Sequence, residues 1–207
     1  MRKLYLGIDL PADLQALHYP VIRTVPLEIA PHLWDNFPNF THVIFTSKNG
    51  VKIFLQSGRS LHQKQLLAIG QKTAAQLLQV GLRPLGIAET ETQEGMIELL
   101  RTLDLKGAYI LYPRSALARK PLENFLIEQQ IRYQVWDLYT TVFQKPLPVP
   151  DLNLIDEIIF TSPSTVRAFI AAFGQIPPDK KLTCIGPVTE AELLEHLEFE
   201  KAQKSAS

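Results

Sequence analysis

VIFTSKNGVKIFLQSG (residues 43–58) and IIFTSPSTVRAFIAAFG (residues 158–174) carry the same succession of residue types. In each, a run of β-branched and aromatic residues too short for a helix closes in small polar residues, after which apolar positions recur at helical spacing. That pattern reads as strand, loop, helix. A second pair follows in the same order, LAIGQKTAAQLLQVG (67–81) and TCIGPVTEAELLEHL (183–197). Ser47 and Ser162 are 115 positions apart, and Gly70 and Gly186 are 116 apart. Two blocks repeating in one order at nearly one offset indicate two halves of the same topology. Strands alternating with helices imply a parallel sheet in each half, covered by helices on both faces.

Between the copies, residues 107–130 read as a strand over 108–112, a turn at Pro113 and a helix from about 120 to 129, and residues 133–143 as a further strand. The proline-rich stretch QKPLPVPDLN (144–153) reads as a connector, as does VPLEIAPHLWDNFP (25–38). These two breaks predict an inserted lobe over 36–143 and a discontinuous, abbreviated terminal lobe made of 1–35 and 144–207.

Composition narrows the function. The chain has 207 residues, is 46% hydrophobic and balances 21 basic against 21 acidic side chains, with a mean hydropathy of +0.01. Such values describe a folded soluble protein rather than a disordered or membrane one. No basic run is present to release counterions, so nucleic acid is not an expected partner. No apolar run reaches the roughly 18 residues of a spanning helix, and Asp9 interrupts the first apolar stretch too early for a signal peptide. A single cysteine, Cys184, allows no intrachain disulfide, which fits a reducing, cytoplasmic compartment. The five histidines lack metal-ligand spacing, so no metal is expected. Glycine-rich phosphate fingerprints are absent, so no nucleotide cofactor is expected.

In open parallel sheets, ligands bind beyond the carboxyl ends of the strands, where helix N-termini present unpaired N–H groups. The repeat places four such loops, at 46–49, 70–73, 161–164 and 186–189. Ser47, Thr73, Ser162, Ser164 and Thr189 in them either cap helices or offer hydroxyls to a ligand rich in carboxylates. Arg114, beside Arg119 and Lys120, either pairs a ligand carboxylate or lies in a solvated loop. Glu89, Glu91 and Glu94 precede a helix, where carboxylates suit the dipole or could accept from ligand N–H groups. Tyr139 ends the strand QVWDLY and either packs there or donates its phenolic proton to a leaving group.

Taken in order, the two F-T-S loops, A-I-G-Q-K-T, C-I-G-P-V-T, E-G-M-I-E-L-L, P-R-S-A-L-A-R and L-Y-T-T resemble the uroporphyrinogen-III synthase family over about residues 41–194. That resemblance implies two flavodoxin-like lobes with parallel sheets, joined by a two-stranded linker, with the substrate between them. It implies a cofactor-free monomer of haem and tetrapyrrole synthesis that cyclises hydroxymethylbilane to uroporphyrinogen III, inverting ring D and losing water. Tyr139 matches the family tyrosine proposed to assist departure of hydroxide, and Thr73, Ser162 and Thr189 match hydroxyl positions lining the cleft. The chain departs from the family pattern at Asp9, where bacterial members often have arginine. The segment 10–19 reads as too short for the usual first helix, and EKAQKSAS (200–207) is expected to follow the last helix directly, where members commonly add a further strand and helix. A shortened terminal lobe leaves open a second function, a two-lobed protein that binds a tetrapyrrole or other polycarboxylate without converting it. A flavodoxin-like redox protein is a third.

Overall fold

The computed structural model describes residues 1–205, with side chains for residues 1–199. The chain forms β1 (Lys3–Tyr5), β2 (Leu17–His18), β3 (Ile22–Pro26), α1 (Pro31–Asp35), β4 (His42–Phe45) and α2 (Lys48–Leu55). Then come β5 (Gln65–Ala68), α3 (Gln71–Leu78), β6 (Gly86–Ile87), α4 (Gln93–Arg101), β7 (Tyr109–Ser115) and α5 (Pro121–Glu128). β8 (Arg132–Phe143), β9 (Glu157–Phe160), α6 (Pro163–Phe173), β10 (Lys181–Cys184) and α7 (Pro187–Ser205) complete it. These elements fall into two compact units, Met1–Thr24 with Thr141–Ser207, and Val25–Thr140. The division falls within β3 and within β8.

Residues 25–35, grouped above with the terminal lobe, belong to the middle unit. Their apolar side chains explain why: Ile29, Leu33 and Trp34 pack on the cluster holding Phe37, Phe40, Phe54 and Trp136. The stretch read as a connector is therefore partly helical and anchored.

In the middle unit the order is β3-β8-β7-β4-β5-β6, and the pairs from β8 through β6 are parallel. Counting β4 as first, the five strands from β4 to β8 run 3-2-1-4-5. This doubly wound order differs in sequence from the 2-1-3-4-5 arrangement of flavodoxin itself and puts the topological switch between β4 and β7. Both faces are covered. Val43, Phe45 and Leu66 pack with Val51 and Phe54 of α2 and Leu77 of α3. Ile44, Leu67 and Ile110 pack with Met96 of α4 and Leu122 and Phe125 of α5. Gly95 in α4 is required by close approach, because a Cβ there would lie 2.4 Å from the Thr90 carbonyl oxygen.

The terminal unit repeats half of this plan. Its order is β10-β9-β1-β2, all parallel, so β9 and β10 correspond to β4 and β5, while β1 and β2 take the places of β7 and β8. No counterpart of β6, α4 or α5 occurs among the described residues. The expectation of helices on both faces thus fails here. Leu4, Leu6, Ile158 and Phe160 pack with Val166 and Phe169 of α6 and Leu193 of α7. The other face carries Lys3, Tyr5, Glu157, Ile159 and Thr183. The segment after Leu197, expected to follow the last helix, continues α7 to Ser205; α3 instead stops before Gly81, whose φ is +76°.

On the face without helices, Lys3, Glu157 and Lys181 stand opposite one another across three strands. Glu157 is only 3% exposed; its Oε1 accepts from the Thr183 hydroxyl at 2.5 Å and lies 3.1 Å from Lys181 Nζ. Oε2 is 3.7 Å from Lys3 Nζ and has no hydrogen-bond donor. The Thr183 bond, aided by Lys181 and Lys3 and opposed by burial, holds this carboxyl below the usual glutamate range. A carboxyl depressed in the folded state stabilises above its unfolded pKa of about 4.3 and loses that contribution as pH falls through its folded value. Accordingly, Glu157→Gln is expected to lower stability near pH 7 by about 1–2 kcal/mol. In thermal melts across pH, the gap from the parent should close below about pH 4; a gap independent of pH would refute the assignment.

Candidate functional site

Residues just past β4 and within β7 and β8 meet beside the switch point of the middle unit. Ser47 has extended backbone and caps α2, its Oγ accepting from the Gly50 N–H at 2.9 Å. The same Oγ lies 2.7 Å from the hydroxyl of Tyr139. Tyr139 is 7% exposed, and its burial raises the phenol above its ordinary pKa of 10, against the opposing effect of the Ser47 bond. Tyr112 of β7, fully buried, bonds Thr46, and burial raises its phenol as well. Two phenols from adjacent strands therefore hold consecutive hydroxyls of one loop.

A register shift aims Tyr139. Along β7 and β8 the Cα partners run Pro113↔Trp136, Arg114↔Asp137, then Ser115↔Tyr139, leaving Leu138 without a partner. The extra residue offsets the two-residue alternation, so Tyr139 joins Trp136 and Leu138 in the α2-facing cluster instead of following Asp137 to the opposite face. β7 also continues through Pro113, where a turn was expected. Its pairing with β4 ends at Leu111, so proline's missing N–H is tolerated there.

Other predicted residues are placed differently. Arg114 is 11% exposed, with its guanidinium taken by Glu123 of α5 and by Asp137, whose Oδ1 is 3.0 Å from Nε; it ties β7 to β8 and α5 rather than standing in a solvated loop. Arg119 pairs with Glu94 through two bonds of 2.9 and 3.0 Å, which hold the Glu94 carboxyl below its usual range. The acidic and basic runs thus meet each other. Thr73 occupies the first turn of α3 and is buried. Thr189 is buried in the first turn of α7, its hydroxyl donating to the Ile185 carbonyl at 3.0 Å. Half-buried Ser162 and Ser164 share a hydroxyl contact of 2.9 Å at the start of α6.

Thr165 went unnoticed in the sequence. Fully buried, it accepts from the N–H groups of Thr161 and Ser162 and donates to the Ser162 carbonyl at 2.7 Å. The S-x-x-T spacing from Ser162 was the available signal, since a hydroxyl three residues past a cap can close back on it. The helix starts that remain offer backbone N–H groups and a positive dipole end, suited to carboxylates. A cavity of about 770 Å³ lies at the opposite ends of the strands, lined by Arg101, Ala108, Phe125 and Arg132 among others, away from these loops. Among the described residues no group of three His, Cys, Asp or Glu could hold a metal, and no helix is long and apolar enough to cross a membrane.

Comparison with known proteins aligns this architecture. Residues 12–200 match the family described as Uroporphyrinogen-III synthase HemD. The chain is 29% identical over 213 residues to the porphyrin biosynthesis protein HemD of Ruminiclostridium josui, covering 92% of this chain but 41% of that longer protein. It is 23% identical over 186 residues to the uroporphyrinogen-III synthase of Chlorobaculum parvum, covering 81% of this chain and 76% of the relative. The crystal structure of uroporphyrinogen-III synthetase from Helicobacter pylori 26695 superposes with a TM-score of 0.69 at 21% identity, covering 94% of this chain and 89% of that one.

Proposed function

The chain belongs to the uroporphyrinogen-III synthase family, and from that premise we propose that it cyclises hydroxymethylbilane to uroporphyrinogen III with inversion of ring D. The family match over residues 12–200 carries this reading. We further propose that it works as a cytoplasmic monomer without a cofactor. Substrate carboxylates are received by backbone N–H groups at the helix starts and by Ser162 and Ser164, with Thr73 and Thr189 shaping their loops from beneath.

Tyr139 is the proposed acid. Its O–H proton passes to the departing hydroxyl of the substrate, the C–O bond breaks and water leaves as the adjacent pyrrole nitrogen supplies electrons, and loss of that nitrogen's proton, which restores the phenol, leaves an azafulvene. The substituted carbon of ring D then attacks the exocyclic methylene of the azafulvene with its own π electrons to give a spiro intermediate, which fragments and recloses. Unaided closure gives the type I isomer, so selectivity requires holding the chain in the geometry that leads to the spiro centre. A buried phenol, its pKa raised, stays protonated at neutral pH and is available as a donor.

The test is to supply hydroxymethylbilane and separate the isomers formed. A product pool enriched in type III over the enzyme-free control supports the reading. A pool no richer than the control supports the binding-protein alternative.

A further inference from the structure

Ser47 was expected to touch substrate, yet its hydroxyl is engaged twice within the protein, by the Gly50 N–H at 2.9 Å and by Tyr139 at 2.7 Å. We propose that Ser47 is a positioning residue which donates its proton to the Tyr139 oxygen, leaving the phenolic proton free to reach the substrate. This inference rests on Tyr139 acting as the acid.

The direction of that bond decides what the phenol can do. If Tyr139 donates to Ser47, its only proton is spent inside the protein and must be withdrawn before transfer. If Ser47 donates, the phenol accepts within the protein and keeps its proton for a ligand. Two features favour the second arrangement. The Ser47 oxygen already accepts from the first turn of α2, and accepting one hydrogen bond strengthens the same hydroxyl as a donor. Ser47 also stands at the positive end of α2, an eight-residue helix, which favours electron density on the neighbouring phenol oxygen and eases the charge that grows as the proton leaves. The result is a relay from helix N–H to serine to tyrosine.

Substitution must separate this role from helix capping. Ser47→Asp preserves a side-chain acceptor for the Gly50 N–H but, as a carboxylate, has no proton to donate. Ser47→Ala removes both functions, and Ser47→Thr restores both. The Raman doublet of a tyrosine ring reports whether its phenol accepts or donates, and Tyr139 is isolated by subtracting the spectrum of Tyr139→Phe. The expected results are an acceptor signature in the parent and in Ser47→Thr, and a donor signature in Ser47→Asp despite an unchanged melting temperature. With hydroxymethylbilane, kcat in Ser47→Asp and Ser47→Ala should fall about tenfold at nearly constant KM, with Ser47→Thr recovering most of it. Neither change should reduce turnover further once Tyr139 is phenylalanine.

A donor signature for Tyr139 in the parent, or an additive loss in the double variants, would overturn the proposal. Should Tyr139→Phe alone keep full activity, the assignment of the acid fails, while the spectra still settle the direction of the bond.

Discussion

Tyr139→Phe should form the type III isomer about a hundredfold more slowly, at the lower end of what a positioned acid contributes. The loss should fall on kcat, because the ring makes its contacts inside the protein and the substrate carboxylates are proposed to be held by other groups. Phenylalanine keeps the aromatic body in the cluster of the middle unit and removes one hydrogen bond to Ser47, so stability should change by only about 1 kcal/mol. Steady-state kinetics read beside a thermal melt separate the two effects. The isomer ratio adds a third measure, because slower enzymatic turnover leaves more substrate to close spontaneously as type I. A kcat equal to the parent's would remove Tyr139 from the chemistry and return it to packing.

A larger effect on stability is expected at Trp136. Its side chain is 1% exposed, with Trp34 edge-on at a ring separation of 4.7 Å and Phe40 at 5.7 Å. Trp136→Ala should cost about 4 kcal/mol, the usual range for deleting a buried aromatic and leaving its cavity. Because Trp34 meets this ring, the substitution should also loosen α1. Hydrogen exchange followed residue by residue would detect early opening at 31–39 while amides of β9 and α6 keep their protection. Uniform loss across both units would show that the segment does not depend on Trp136. Trp136→Phe is the milder comparison, since the indole N–H has no hydrogen-bond partner to lose.

The repeat at Ser47 and Ser162 was legible because strand, loop and helix are local: β-branched runs, a capping hydroxyl and apolar spacing lie within a few residues of one another. Pro163 in the first turn of α6 and Thr165 three residues after Ser162 are features of the same kind. Information was lost where distant segments decide the outcome. Pro113 looks like a turn until the pairing of β7 with β4 is known to stop at Leu111. Arg114 and Arg119 look available until Glu123, Asp137 and Glu94 arrive from other elements. The contact between Tyr139 and Ser47 depends on one unpaired residue, Leu138, and no periodicity in QVWDLY announces that offset. That the terminal sheet has helices on one face alone among the described residues is not revealed by the repeated motifs, although the shortened lobe itself was legible.

The terminal unit also has a consequence for synthesis. β1 is made before every other described element, yet besides the nearby β2 it pairs with β9, and the hydrogen bond from Arg2 to Asp156 spans 154 positions. Every strand of the middle unit is made before β9, whereas Leu4 and Leu6 have only Tyr19, Val21 and Ile22 of their cluster nearby until Ile158, Phe160 and the helix α6 are made. Nascent chains halted between β8 and α6 would therefore display the apolar side of β1 incompletely covered, an interval during which chaperones have something to hold.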